Sequence, residues 1–313
     1  MRANGATVKF LFVASTGGHL SQLLRLSVAM DACPDSLWIT FRTPQSESLL
    51  EGRRVVYVPY VRSRDILGVL RAARVVRRLL SSERFDRVVS TGAALAVSAL
   101  PLARLRRIPT LYIESVSRVH GPSLTGRIIA ATRAAALRTQ HASWAGGRWK
   151  VHPSVFGTYF AEPRAQIERP RLLVTVGTIK GYRFDSVIDA VLASGLADER
   201  TVWQLGDSLR EGLPGRAVDQ LESAEFTRIA QEADVVVSHA GVGTVLELLE
   251  LGIYPVLVPR RHGRREHVDD HQRQIAGLVE GMGVARVVEA DELSPGDLIA
   301  ASGFVVRHGE AAV

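Results

Sequence analysis

VASTGGHLSQLL, residues 13–24, leaves a short apolar stretch, turns on two adjacent glycines and continues as a helix from about Leu20. Gly17 and Gly18 allow a sharp turn and leave backbone N–H groups unshielded, and the helix start adds a partial positive charge. Such a turn is a seat for an anion. Dinucleotide-binding sheets hold phosphate at the same strand-to-helix position, but residues 16–21 do not supply G-x-G-x-x-G, so the stretch implies phosphate without implying nicotinamide. The loop taken alone also reads as a plain tight turn whose His19 caps the helix.

Working outward, the same rhythm repeats along the chain. Short, continuously apolar segments stand at residues 8–14, 36–41, 54–59, 87–91 and 110–115, each followed by turn or helix signals. Runs of this kind, without alternation, fit a parallel sheet covered on both faces. After VFGTYFAEPRAQIERPR (155–171) a second set begins, at 172–177, 201–206, 234–240, 254–259 and 285–290. The expectation is an α/β protein of two Rossmann-like, doubly wound domains, residues 1–162 and 168–313, facing each other across a cleft. Ligands should sit at the carboxyl ends of the strands.

Composition narrows the function classes. With 313 residues, 46% of them hydrophobic, the chain can bury a large core. Its longest nearly apolar run, 88–103, is broken by polar residues and falls short of the ~20 residues of a spanning helix. No secretory signal is read at the N-terminus, so a cytoplasmic location is expected. Cys33 is the only cysteine, which removes disulfides and thiolate metal sites from consideration. The net charge of +7 is uneven: residues 1–160 hold 23 Lys and Arg against 8 Asp and Glu, and the remainder holds 16 against 24. The basic first half suits an anionic membrane surface. Nucleic acid is not expected as a partner, because aromatics make up only 6% and no binding motif is present.

The most informative stretch is DVVVSHAGVGTVLELLELGIYPVLVPRRHGRREHVDDHQRQIA, residues 234–276. It reads as a buried strand, a His-Ala-Gly-Val-Gly turn, and a helix from about Thr244 to Leu251 that Gly252 ends. The N–H groups around Gly241 and Gly243 form a second phosphate cradle. Glu247 lies one turn further on the same face as Gly243, placed to accept from a ribose diol. Its plain alternative is an acidic residue favouring the helix dipole. His267 and His271 have the i, i+4 spacing of two zinc ligands, but Val268 stands where a hydrolase needs its glutamate, and no metal is expected. Arg260, Arg261, Arg264 and Arg265 form either a solvated loop or a bidentate grip on an anionic group of a ligand.

These motifs together resemble GT-B glycosyltransferases of the family 28 superfamily, to which the peptidoglycan N-acetylglucosaminyltransferase belongs. The likeness is to a single-chain fusion of the two subunits of polysaccharide and dolichol-type sugar transferases. VASTGGHLSQL and LYIESVSRVHGPSLTGRII (111–129) are similar to the acceptor-binding subunit. VTVGT (174–178), SHAGVGTVLE (238–247) and VPRRHGRREHVDDHQ (258–272) are similar to the catalytic one. The resemblance implies that Gly177, Thr178, His239, Gly241, Gly243 and Thr244 meet the donor diphosphate, Glu247 the ribose of a uridine nucleotide, and Asp270 and Gln272 the sugar hydroxyls. Thr16, Gly17, Gly18 and Arg118 would meet a diphosphate-linked lipid acceptor.

The reaction so implied is inverting transfer of glucuronic acid, galactose or N-acetylglucosamine from a UDP-sugar to a polyprenyl-diphosphate-linked acceptor, in exopolysaccharide or capsule assembly. It needs a general base and stabilisation of the leaving diphosphate but no cofactor or metal. His19 is the first candidate base and Glu114 the second. A UDP-sugar epimerase and a non-catalytic membrane adaptor are the alternatives. Residues 65–80, with Arg71, Arg74, Arg77 and Arg78 among leucines and valines, read as an amphipathic helix. Its apolar stripe packs on the sheet, and its arginines face water or the inner leaflet of the plasma membrane as a peripheral attachment.

Overall fold

The computed structural model describes residues 8–62, 65–177, 181–267 and 271–309, without the side chain of His271. The chain divides between Val155 and Phe156 into two compact units. This is earlier than the boundary expected from the prolines.

The first unit holds β1 (Phe10–Ala14), β2 (Leu37–Phe41), β3 (Arg54–Val58), β4 (Arg87–Gly92), β5 (Thr110–Ile113), β6 (Ala136–Thr139) and β7 (Trp149–Val151). They form one parallel sheet in the order β3-β2-β1-β4-β5-β6-β7. Its helices are α1 (Gly18–Ser27), α2 (Pro44–Leu49), α3 (Ile66–Ser82), α4 (Ala94–Leu105) and α5 (Leu124–Ala131).

Leu11, Val13, Val88, Tyr112 and Leu137 project to one face and join the buried stripes of α3 and α4 in a single core. In α3 that stripe is Gly68, Ala72, Val76 and Leu80, an i, i+4 series that puts one residue per turn on the sheet. Asp65 starts α3 by accepting from the Gly68 N–H at 2.8 Å. Burial of each larger aliphatic in this stripe contributes ~1.5–3 kcal/mol. The opposite face of α3 exposes Ile66, Leu67 and Leu70 as well as its arginines.

The second unit opens with β8 (Tyr159–Pro163), followed by β9 (Leu172–Thr175), β10 (Val202–Gln204), β11 (Arg216–Val218), β12 (Val235–His239), β13 (Val256–Val258), β14 (Arg286–Val287) and β15 (Phe304–His308). Six of these make a parallel sheet in the order β11-β10-β9-β12-β13-β14, while β8 and β15 pair antiparallel beside it. That pairing draws residues 159–163 into this unit. Its helices are α6 (Asp185–Ala193), α7 (Ser223–Glu232), α8 (Val242–Glu250), α9 (His271–Gly281) and α10 (Pro295–Ser302). Gly252, at φ +78°, ends α8 as the sequence predicts, and the N–H groups of Gly252 and Ile253 return to the Leu249 and Leu248 carbonyls.

Both sheets are therefore doubly wound and share one connectivity. Strand order reverses between β1 and β4 in the first and between β9 and β12 in the second. At such a reversal two connections leave in opposite directions and open a crevice at the carboxyl ends of the strands. The glycine turns singled out in the sequence lie at these two places.

Candidate functional site

In the first unit the chain leaves β1 through Ser15, whose N–H donates to the Gly92 carbonyl at the end of β4, 3.1 Å away. Gly17 adopts φ +77°, a conformation strained for any side chain, and caps α1. Its N–H donates to Gln45 Oε1 at 3.1 Å. The N–H groups of Thr16 and Gly18 meet no acceptor among the described residues, as an anion seat would require.

His19 follows directly. Its Nδ1 lies 2.8 Å from the Thr91 carbonyl, and Thr91 Oγ1 donates back to the His19 carbonyl at 2.7 Å. A carbonyl only accepts, so Nδ1 carries the proton and the neutral ring keeps its basic lone pair on Nε2. Gly92 has φ +112°, which disfavours any side chain, and a Cβ there would stand 3.0 Å from His19 Cε1, tight enough to press on the ring. The sequence carries the sign of this pairing in Ser-Thr-Gly, which occurs at both 15–17 and 90–92.

Glu114 does not stand open to a substrate. It is 1% exposed, and its carboxylate accepts from Tyr112 OH at 3.0 Å, the Ser115 N–H at 3.2 Å, and the Ser123 N–H and hydroxyl at 2.9 and 3.0 Å. Burial pushes its pKa up, and these donors oppose the shift. The role suited to four donors and no solvent is to pin both ends of the 115–123 loop, which corrects its assignment as second candidate base. Gln22, which the sequence reading passed over, completes the support. Its amide nitrogen donates to the Gly18 carbonyl and Ser115 Oγ, and its oxygen accepts from the Val116 N–H and Gln140. It was legible as a polar residue one turn before Leu26 on the buried face of α1. Arg118 is half-buried in the same loop, whose shape is fixed further by the Trp144 indole donating to the Arg118 carbonyl at 2.8 Å.

In the second unit, Gly177 at φ +78° follows β9 and His239 ends β12. A Cβ on Gly177 would stand 2.7 Å from His239 Cε1 and Nε2, and one on Gly241 would stand 2.4 Å from Nε2. The ring is thus clasped between two glycines. Burial, with the Arg260 charge, lowers the His239 pKa to about 3, and the Thr175 carbonyl opposes this only in part. The imidazole is neutral at physiological pH, and its Nδ1 has no well-formed hydrogen bond among the described residues.

Beyond it, α8 presents the N–H groups of Val242, Gly243 and Thr244 without acceptors among the described residues. Glu247 lies one turn on, half-buried, its pKa raised by burial and by Glu250, with no hydrogen bond or ion pair to its carboxylate among the described residues. A hydroxyl-rich ligand would supply the missing donors. Gln272 is 3% exposed and accepts the Arg260 N–H at 3.1 Å, which leaves its NH2 as the end able to meet a sugar hydroxyl. Thr178 and Asp270 lie outside the described residues.

The arginine cluster divides: Arg264 and Arg265 are exposed, as in a solvated loop, and the other two are not. Arg261 pairs with Glu289 and Arg264 with Asp291, while Arg260 is buried. Among the described residues no three His, Cys, Asp or Glu side chains gather as a metal-ligating group, and no helix is long and apolar enough to cross a membrane.

Residues 172–310, nearly all of the second unit, match the glycosyltransferase family 28 C-terminal domain. The UDP-N-acetylglucosamine--N-acetylmuramyl-(pentapeptide) pyrophosphoryl-undecaprenol N-acetylglucosamine transferase of Aeromonas hydrophila is 29% identical over 274 residues, covering 82% of this chain and 71% of the relative. Among solved structures, MurG of Acinetobacter baumannii superposes with a TM-score of 0.58 at 20% identity over 93% of this chain and 89% of that one. UDP-GlcNAc 2-epimerase of Methanocaldococcus jannaschii gives 0.57 at 11% identity over 94% and 91%. The two scores show a shared architecture and do not choose between the chemistries. The choice comes from the family 28 domain laid over the His239 clasp and the α8 N-terminus: the chain has the GT-B architecture, carries a glycosyltransferase family 28 C-terminal domain in its second unit and is related to the peptidoglycan N-acetylglucosaminyltransferases.

Proposed function

We propose that this glycosyltransferase moves a sugar from a UDP-sugar to a polyprenyl-diphosphate-linked acceptor with inversion at the anomeric carbon. The reading is carried by the second unit, where a neutral clasped histidine, a helix N-terminus with three N–H groups and Glu247 lie in sequence order inside a family 28 domain, the N–H groups and the Glu247 carboxylate without partners among the described residues. That order matches a nucleoside diphosphate, with phosphates on the N–H groups and His239, and ribose on Glu247. N-acetylglucosamine is the donor sugar in the names of the relatives, and pyrophosphoryl-undecaprenol their acceptor carrier. Of the sugars expected from the sequence it is the one these relatives support. Their names lend no support to an exopolysaccharide or capsule role.

In the proposed reaction the acceptor hydroxyl attacks the anomeric carbon, the bond to the diphosphate oxygen breaks, and UDP leaves with the electron pair. His19 Nε2 takes the hydroxyl proton, and the Thr91 carbonyl on Nδ1 steadies the imidazolium that forms. Thr16, Gly17, Gly18 and Arg118 face the acceptor's diphosphate region, and Glu114 holds the loop that carries Arg118. Helix N-termini and His239 stabilise the leaving group, so no metal is assigned. The protein reaches its lipid substrate as a peripheral protein on the inner leaflet, through the exposed Ile66, Leu67 and Leu70 of α3 and the arginines beside them.

The deciding experiment incubates the purified protein with a lipid-diphosphate-linked sugar and a panel of UDP-sugars, and follows UDP release and product mass. Acceptor-dependent UDP release with a gain of one sugar mass is expected. Conversion of a UDP-sugar to an isomer of equal mass without lipid would replace this reading with an epimerase.

A further inference from the structure

Arg260 is 1% exposed and among the largest fully buried side chains of the protein. Its guanidinium meets only carbonyls. Nη1 donates to Tyr182 at 3.1 Å and Glu266 at 2.8 Å, Nη2 donates to Val176 at 2.6 Å, and Cζ lies 4.9 Å from the Phe184 ring centroid. Nε has no partner, and no carboxylate lies within ion-pair distance among the described residues. The nearby Glu266 carboxylate is engaged elsewhere, by Ser186 at 2.5 Å and by the Arg261 N–H at 2.9 Å. Arg261 and Arg264, which follow it in the same loop, each have an acidic partner. Arg260 alone of the three is both buried and without an ion pair among the described residues; the Glu266 and Asp207 carboxylates act on its charge only from beyond that range.

A cation taken out of water without an anion is among the least favourable burials, and carbonyl dipoles offset it only in part. Methionine would fill the same space without that penalty. The place of the charge suggests why a cation is kept. Val176 immediately precedes Gly177, which touches His239, and His239 touches Gly241 at the start of α8. The carbonyls that hold the guanidinium lie on the loops after β9 and β13, at the end of the sheet where the unbonded N–H groups are.

We infer that Arg260 is a fixed counter-charge for the diphosphate of the donor, held off the ligand by protein carbonyls and neutralised only when the nucleotide binds. Burial lowers its pKa to about 10, so it stays charged at neutral pH, and the same charge helps keep His239 neutral. The inference rests on the UDP-sugar reading of this site. It adds a residue that acts through its field, without contact, and explains how a seat of neutral groups can bind a multiply charged ligand.

The test is calorimetric titration of wild type, R260M and R260K with UDP and with uridine, alongside thermal unfolding of each free protein. The charge acting across several ångströms of protein should make R260M bind UDP roughly 10- to 100-fold more weakly. Uridine affinity should be unchanged, and free R260M should melt at or above the wild-type temperature because the uncompensated burial is gone. R260K, which keeps the charge, should stay within about threefold of wild type for UDP. Equal UDP binding by R260M and wild type overturns the inference. So does an equal loss of UDP and uridine, which would assign Arg260 to packing. If R260M does not fold, R260K carries the test: loss of UDP binding by folded R260K assigns the affinity to the carbonyl-held fork and overturns the counter-charge. Failure of wild type to bind UDP would overturn the functional reading itself, a result distinct from any of these.

Discussion

The clasp on His239 can be taken apart with three glycine-to-alanine variants that separate backbone strain from steric contact. Gly195, at the end of α6, has φ +68° and open space where a Cβ would go, so G195A meets strain alone. Gly241 has φ −78°, which any residue adopts, but its Cβ would stand 2.4 Å from His239 Nε2, so G241A meets contact alone. Gly177 combines φ +78° with a Cβ 2.7 Å from the same ring, so G177A meets both.

A left-handed alanine costs roughly 1–2 kcal/mol. At about 2–4 °C per kcal/mol for a unit of this size, G195A should lower the melting temperature by about 2–8 °C and leave UDP binding alone. In G241A and G177A the ring must shift from its place, since real Cβ atoms do not approach so closely. If His239 contributes one hydrogen bond to a charged phosphate, its loss weakens UDP by about 10- to 100-fold. Thermal unfolding and UDP titration on the three variants read both effects at once. The decisive variant is G241A, which has no backbone strain: wild-type UDP affinity there would refute the assignment of His239 to the donor site.

Four further outcomes are expected. H19A should lower turnover by about 10²–10⁴-fold with donor KM unchanged, and unaltered turnover measured by UDP release would remove it as the base. E247Q should weaken UDP by about tenfold while leaving 2′-deoxy-UDP less affected, because only the former offers both ribose hydroxyls to the carboxylate; equal losses in a paired titration would count against the ribose contact. The lowered pKa of His239 means that the unfolded chain binds the proton more tightly than the fold, so stability is full above pH 6.5 and is lost as pH falls toward 3. The slope reaches at most about 1.4 kcal/mol per pH unit, and H239Q should flatten it in denaturant titrations across that window. Replacing Ile66, Leu67 and Leu70 together by serine should reduce sedimentation with anionic vesicles without altering turnover of a short-chain soluble acceptor; undiminished sedimentation would place the membrane contact elsewhere.

Much of the fold was legible because it is written in local signals. The ten apolar runs read as strands coincide with β1 to β5, β9, β10 and β12 to β14, and the glycine turns after β1 and β12 stand where the sheets reverse. The strands not anticipated are those whose residues carry no continuous apolar run. Ala136–Thr139, Arg216–Val218 and Trp149–Val151 are short edge or near-edge strands with charged residues, and β8 and β15 pair across nearly the whole second unit, a contact no local pattern encodes. For the candidate site, loop chemistry picked out the glycine turns but not the tertiary partners. Glu114 reads as an exposed acid until Ser123 and Tyr112 close over it. Arg260 reads as one of four loop arginines until its neighbours take the carboxylates and leave it to the carbonyls.

The two units solve the placement of a histidine in mirrored ways. In the first, the histidine follows the first strand of the sheet and lies against the glycine that ends the fourth, His19 on Gly92. In the second, the histidine ends the fourth strand and lies against the glycine that follows the first, His239 on Gly177. Each ring therefore stands at the point where strand order reverses, against a glycine whose positive φ disfavours a side chain and whose Cβ would crowd the ring. What differs is the environment. His19 has a carbonyl on Nδ1 that supports a positive ring, the arrangement a proton acceptor needs. His239 is buried and has the Arg260 charge nearby, both of which oppose a positive ring, so it stays neutral. One geometry thus leaves a ring backed by a carbonyl in one unit and a ring held neutral by burial and a nearby cation in the other, the difference on which the proposed roles of base and neutral donor-site group rest.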